Sequence, residues 1–171
     1  MELRVAIKED AGQAWELVHQ AREFLKSLGV DQWQGEYPNR RTVEDDIAAG
    51  NGYVITDDGQ GPAPGQILGY TCISFDGEPC YNTIDGSWKS SQPYAVVHRT
   101  AVSNACKGQG LASRILREAE ILCLQKGIHS IRIDTDNDNQ IMKRVLEKNG
   151  YEYCGVIRFD NSDKIAFEKQ F

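Results

Sequence analysis

At 171 residues, 40% of them hydrophobic and 26% charged, the chain has the size and make-up of one soluble globular domain with its own core, read here as 1–171. Its net charge of −6 argues against a general nucleic-acid binder, which is ordinarily basic, and no apolar run approaches the ~18 residues of a membrane span. Cys72, Cys80, Cys106, Cys123 and Cys154 are odd in number, far apart and without CxxC spacing, so neither a zinc site nor a disulfide framework is expected. A reducing cytoplasm is the simplest compartment, and Met1-Glu-Leu-Arg leads into a polar segment rather than a signal peptide.

Leu3 to Ile7 reads as a first strand, and Asp10 as the N-cap of a helix whose apolar face runs Ala14, Leu17, Val18, Ala21, Phe24, Leu25, Leu28 and ends at Gly29. An aromatic-rich loop carries Trp33 and Tyr37, large rings in a polar segment that offer either a substrate mouth or a plug pinning the loop. Thr42 with Asp45 predicts the start of a short helix. Tyr53 to Thr56 and Ile67 to Phe75 are strands joined by DDGQGPAPG, a hairpin loop by composition. Residues 76–93, with Trp88, read as a long surface loop between strands of one sheet.

The stretch YAVVHRTAVSNACKGQGLASRILR, from Tyr94 to Arg117, holds the strongest pattern. A β-rich run breaks at Ser103-Asn104, passes Lys107-Gly108-Gln109-Gly110, and becomes a helix buried along Leu111, Ile115, Leu116, Ala119 and Leu122. A glycine turn at a helix N-terminus suits a phosphate, because first-turn N–H groups lack intrahelical acceptors and the helix dipole is positive there. Charge agrees: residues 98–148 carry nine Lys and Arg against six Asp and Glu, although the whole chain is acidic. A Walker loop fails, since the lysine precedes the glycines. A dinucleotide-binding turn is a partial match with Asp134, in one late strand-helix-strand unit with no second half. The pyrophosphate turn of an acyltransferase is the third reading.

Downstream, Ile128 to Thr135 is a strand, and Asp138 or Asn139 caps a helix with Ile141, Met142, Val145 and Leu146 on one face, ended by Gly150. Asp134, Asp136 and Asp138 resemble the opening of a calcium loop. Asn139 and Val145 stand where that loop needs glycine and glutamate, so calcium is rejected. Tyr151 to Phe159 and Lys164 to Phe171 close the chain around an Asn161-Ser162-Asp163 turn, with Tyr151 read as core. The element order β-α-α-β-β-β-α-β-α-β-β predicts an α/β (α+β) fold: a mixed, mostly antiparallel sheet with helices on both faces.

Two blocks together resemble the GNAT N-acetyltransferase superfamily: HRTAVSNACKGQGLASRIL and IRIDTDNDNQIMKRVLEKNGYEYCGV. The first is similar to the family's strand, glycine turn and helix. The second is similar to its strand, Asn, helix and Leu-x-x-x-Gly-Phe/Tyr, and the element order extends the likeness over nearly the whole chain. The resemblance implies the acyl-CoA N-acyltransferase fold, with acetyl-CoA held where two central parallel strands splay apart. Two positions depart from the pattern. Ala105 replaces the usual Arg or Gln before the glycines, and Leu146 replaces a tyrosine that serves many members as general acid.

Carried onto this chain, the resemblance makes Thr100, Ala101 and Val102 the strand that pairs with the pantetheine arm. The N–H groups of Lys107, Gly108, Gln109, Gly110, Leu111 and Ala112 would hold the pyrophosphate, with the Ser113 hydroxyl added. Asn139 and Met142 would meet the arm and thioester end from the other side. Attack of an amine on a thioester needs a proton acceptor, and His98 on the central strand is the candidate base. Strand alternation puts Val96, His98, Thr100 and Val102 on one face and Val97, Arg99 and Ala101 on the other. Arg99 is either an acceptor-site charge or a buried ion-pair partner, and Trp33 and Tyr37 join it as candidate substrate contacts. The expected function is a cytoplasmic N-acetyltransferase of a small-molecule or protein amine, without metal, nucleic acid or membrane partner and with a homodimer left open. A non-catalytic acyl-CoA-binding sensor is the competing reading.

Overall fold

The computed structural model describes residues 1–57, 65–159 and 161–171. The hairpin loop read at 57–65 therefore falls almost wholly outside the described residues. The elements are β1 (Glu2–Val5), α1 (Ala11–Ser27), α2 (Arg40–Ala48), β2 (Gly52–Thr56), β3 (Ile67–Ser74), β4 (Asp85–Gly86), β5 (Ala95–Val102), α3 (Leu111–Gln125), β6 (Ser130–Thr135), α4 (Gln140–Lys148), β7 (Glu152–Phe159) and β8 (Ser162–Gln170). Among the described residues, eight strands form a mixed sheet in the order β1-β2-β3-β5-β6-β8-β7-β4, mostly antiparallel, with β5 and β6 parallel. The expected order of elements is present, and β4 is the addition. The chain divides into two compact units, Met1–Ile73 with Arg99–Ala119, and Ser74–His98 with Glu120–Phe171.

In the first unit, β1 and β3 flank β2, both antiparallel to it. Successive strand residues point to opposite faces, and the burial follows that rule. Val54, Tyr70 and Ala101 pack with Ala14, Leu17, Val18 and Val43 of α1 and α2. Their neighbours Ile55 and Val102 pack with Leu111 and Ile115 of α3. Two starts differ from expectation. Asp10 precedes α1, but its buried carboxylate takes two hydrogen bonds from Arg4, at 2.7 and 3.0 Å, and one from the Ile7 N–H at 2.8 Å. The Arg4 hydrogen bonds outweigh burial and hold the Asp10 carboxyl below its ordinary range. Helix α2 starts earlier than Thr42: Asn39 is its cap, accepting from the Thr42 N–H at 3.0 Å while Thr42 Oγ1 accepts from the Asn39 N–H at 3.2 Å.

In the second unit, β8 lies between β6 and β7, antiparallel to both, and β4 adds to the far edge of β7. The parallel register of β5 with β6 runs through Ala95–Ile131 and Val96–Arg132. Tyr81, Val96, Ile157 and Ala166 form a core, with Cys80, Trp88, Tyr94 and Phe159 packed on it. Residues 76–93 are more ordered than a surface loop, because buried polar groups tie them down. Glu168, fully buried, accepts from the Lys89 N–H at 2.6 Å, Ser90 Oγ at 3.0 Å and Ser130 Oγ at 2.6 Å. The Arg132 guanidinium lies over the Trp88 and Tyr94 rings, 4.3 and 3.8 Å from their centroids, and donates to the Ser90 carbonyl at 2.7 Å. Burial opposes the Glu168 charge, but the Ser130 hydrogen bond and Arg132 outweigh it and keep this carboxyl below its ordinary range.

Candidate active site

In the first unit, Ser103 to Gly110 makes a tight descent from β5 into α3. Ser103 Oγ accepts from the Ala105 N–H, the Cys106 N–H returns to the Ser103 carbonyl at 2.9 Å, and the Gln109 N–H to that of Cys106 at 3.3 Å. Gly108 and Gly110 sit at φ +76° and +78°, the left-handed region that L side chains rarely adopt. A Cβ built on either would meet nothing within 4 Å. These glycines thus answer a backbone need and border open space. The Arg114 N–H closes the first helical turn onto the Gly110 carbonyl at 3.0 Å, which leaves the Leu111 and Ala112 N–H groups at the open end of α3. Ser113 is buried, and Lys107 Nζ rests 3.2 Å from the centroid of the Phe24 ring. Because the strain is in φ, Gly110→Ala is expected to cost about 1–3 kcal/mol, read as a lower Tm with an unchanged far-ultraviolet CD spectrum.

In the same unit Arg99 forms a buried ion pair. Its guanidinium meets Asp46 through Nε–Oδ2 at 2.7 Å and Nη2–Oδ1 at 2.6 Å, and Nη1 donates to the Tyr37 hydroxyl at 2.5 Å. Tyr70 donates to Asp46 Oδ2 at 2.8 Å. Burial opposes the Arg99 charge, but the Asp46 hydrogen bonds outweigh it and raise Arg99 above its ordinary value. Burial pushes the adjacent Cys72 thiol up to about 12. Arg99 sits inside β5 at φ +53°, a left-handed kink of the kind found in β-bulges. Thus Tyr37 and Arg99 are brought together, while Trp33, also left-handed at φ +66°, packs against the core around Val18 and Tyr70. Arg22 fastens the intervening loop to α1 by donating to the Gly35 carbonyl at 2.8 Å and to that of Pro38. Alongside, Trp15, His19, Arg22, Glu23, Glu36 and Asn39 line an open groove of about 480 Å³.

In the second unit His98 stands among ionisable groups. Its Nε2 is 3.3 Å from Glu78 Oε2 and its Nδ1 is 3.9 Å from Asp134 Oδ2. The side chains of His98, Glu78 and Asp134 are 14%, 21% and 11% exposed, so water screens this group only partly. Tyr81 donates to Asp134 Oδ2 at 2.6 Å, and the Phe159 ring stacks on the imidazole with centroids 6.5 Å apart. The hydrogen bond with His98 is the main cause holding the Glu78 carboxyl below its ordinary range. Burial, then the charges of Glu78 and Asp134, push the Cys80 thiol up to about 12, so it stays neutral. Asn139 is buried and caps α4, its Oδ1 accepting from the Met142 N–H at 3.1 Å. Leu146 is fully buried, and Tyr151 is core as expected. Among the described residues no group of three His, Cys, Asp or Glu is placed to hold a metal ion.

A family model described as the acetyltransferase (GNAT) family matches residues 14–151. The chain belongs to that family. Membership makes it an acetyl-CoA-dependent acyltransferase. Among similar proteins, the uncharacterized N-acetyltransferase YesJ of Bacillus subtilis is 28% identical over 175 residues, covering 96% of this chain and 87% of YesJ. The crystal structure of a GNAT-family acetyltransferase from Streptococcus agalactiae superposes with a TM-score of 0.87 at 32% identity, over 99% of this chain and 95% of that one. AAC(6')-Ib in complex with paromomycin and acetyl-CoA gives a TM-score of 0.69 at 19% identity, over 99% and 92% of the two chains, a likeness of fold.

For this GNAT chain, sequence reasoning placed the glycine turn and the Asn139 cap but missed the company of His98. Glu78 lies in a stretch whose sequence reads as plain loop, and Asp134 enters the sequence reading only through the partial dinucleotide-binding match and the rejected calcium motif. Tyr81 and Asp134 are 53 positions apart, a pairing that no local spacing announces. Asp46, the partner of Arg99, is likewise 53 positions from it.

Proposed function

We propose that this GNAT enzyme transfers the acetyl group of acetyl-CoA to a primary amine by direct attack, with His98 taking the proton from the amine. The observation that carries the reading is the His98 ring, mostly buried and set against the carboxylates of Glu78 and Asp134. In the proposal all of 1–171 acts as one N-acetyltransferase domain, and the family match running through residues of both units supports this. Thr100, Ala101 and Val102 present backbone to the pantetheine arm, and the N–H groups from Lys107 to Ala112 with Ser113 hold the pyrophosphate. Gly108 and Gly110 suit that role because the turn borders open space at both. Asn139 and Met142 are the residues of the second unit proposed to meet the pantetheine arm and the thioester end. Trp33, Tyr37 and Arg99 shape the acceptor side, Arg99 by holding Tyr37 rather than by offering a free charge.

A cationic small molecule or an exposed protein amine fits the acidic balance of the chain and the carboxylates of Glu23 and Glu36 in the groove beside α1. Five free cysteines suit a reducing cytoplasm, and no helix of the described residues is long and apolar enough to cross a membrane. The competing sensor reading draws on Leu146, whose buried side chain leaves no acid at the usual tyrosine position. Calorimetry with acetyl-CoA, followed by CoA release against kanamycin, spermidine, free lysine and an alanine-initiated peptide, separates the two. Binding with release by at least one amine is expected. Binding without release by any of them would leave the sensor.

A further inference from the structure

We propose that Glu78 is a positioning residue for His98: it fixes the neutral ring as its Nε2–H form and stabilises the imidazolium that forms during transfer. The inference rests on His98 as base and adds a residue from outside the motifs that identified the family. The geometry is asymmetric. Glu78 Oε2 is 3.3 Å from Nε2, whereas Asp134 Oδ2 is 3.9 Å from Nδ1 and already accepts the Tyr81 hydroxyl at 2.6 Å. A carboxylate only accepts hydrogen bonds, so the closer contact puts the ring proton on Nε2 and the lone pair on Nδ1.

Glu78 is also fixed from its own side. It directly precedes the short 3-10 turn Pro79–Thr83, and the Tyr81 N–H returns to its carbonyl at 3.0 Å. That turn is anchored in the core by the Tyr81 ring, and Trp88 Nε1 donates to the Tyr81 carbonyl at 2.9 Å. The carboxylate is therefore carried by a packed turn rather than a loose loop, as a positioning group requires.

The substrate ammonium gives one proton to His98 Nδ1, on the side of Asp134. The amine nitrogen then attacks the thioester carbonyl carbon, a C–N bond forms and the C–S bond breaks. The second nitrogen proton ends on the CoA sulfur, and His98 releases its proton to solvent. While the ring is charged, each of its N–H groups points at a carboxylate, Glu78 on one edge and Asp134 on the other. Titratable groups around the ring include Glu78 on the Nε2 side and Asp134 on the Nδ1 side, with Cys80 interacting with Glu78 and the Tyr81 hydroxyl bonded to Asp134; the Phe159 ring stacks on the imidazole and does not titrate.

The test uses Glu78→Gln, Glu78→Asp and His98→Ala in the full chain, assayed by CoA release with the amine panel above. Proton-transfer groups contribute roughly 10²–10⁴-fold to rate, so loss of the group that orients one is expected to lower kcat by on the order of tenfold to a hundredfold. In Glu78→Gln the KM for acetyl-CoA stays unchanged. The acid limb of the kcat/KM profile differs from that of the wild type. Glu78→Asp recovers part of kcat. Long-range proton–nitrogen NMR of nitrogen-15-labelled histidine gives a second readout: His98 is Nε2–H in the wild type and shifts towards the other form in Glu78→Gln. Normal kcat, pH profile and ring form in Glu78→Gln, with His98→Ala inactive, would overturn the role of Glu78 and leave His98 as base. Full activity in His98→Ala would remove the base reading itself, and Glu78 with it. If no amine in the panel is turned over, the NMR comparison decides alone: an unchanged His98 ring form overturns the proposal and a changed one supports it.

Discussion

Asp46→Ala is expected to destabilise the protein by about 3–5 kcal/mol, the usual cost of removing one partner from a buried ion pair. The Arg99 side chain is only 11% exposed, and Asp46 supplies both of its carboxylate hydrogen bonds as well as the acceptor for Tyr70. Truncation therefore strands a buried cation and a buried hydroxyl together. It also frees the side chain that helps hold Arg99 at φ +53°, so relaxation of β5 should accompany the loss. Urea denaturation gives the magnitude. Asp46→Asn, which keeps an acceptor for Tyr70 without the charge, should fall between wild type and Asp46→Ala. A cost under about 1 kcal/mol for Asp46→Ala, the range of solvated surface pairs, would mean that water already screens Arg99.

His98→Ala carries the largest expected effect on activity. If the imidazole accepts the proton of the attacking amine, its removal lowers kcat by roughly 10²–10⁴-fold, the range for a general base. Acetyl-CoA affinity by calorimetry should not change, because the residues proposed to hold the donor contact it mainly through backbone. The acid limb of the kcat/KM profile should disappear with the imidazole. A rate within threefold of wild type, with the limb retained, would make His98 structural and place the proton acceptor elsewhere. A thermal melt guards the interpretation, since His98 also stacks on Phe159 and lies near Tyr81.

Much of the fold was legible because local physics fixed it. The apolar periodicity of Ala14, Leu17 and Val18 in α1, and of Leu111, Ile115 and Leu116 in α3, placed helices whose same residues are buried. Helix starts were read less well where side chains had competing partners. Asp10 looked like a cap, but a guanidinium six residues earlier took its carboxylate. Thr42 does belong to a capping box, at its third helical position, and Asn39 supplies the cap. The two-residue strand β4 carries no periodic signal, and only its pairing with Val156 and Gly155 defines it.

The site divides along the same line. The glycine turn is a local requirement: two left-handed backbone positions ahead of a helix need glycine, and the sequence alone put Gly108 and Gly110 there. Asn139 belongs with it, because a cap and its N–H partner lie three residues apart. What surrounds His98 and Arg99 is not local. Glu78, Asp134 and Asp46 reach them across 20 to 53 positions of chain, through a turn, a parallel strand and a separate helix. A carboxylate in sequence has no assigned partner until the sheet order decides which strands and turns adjoin, and burial then decides how strongly the two charges act. By itself, therefore, the sequence determined the order of the elements other than β4, the glycine turn and the family. Tertiary structure decided that Arg99 is bound to Asp46 and that His98 stands between two carboxylates, because pairing at long sequence separation is set by packing.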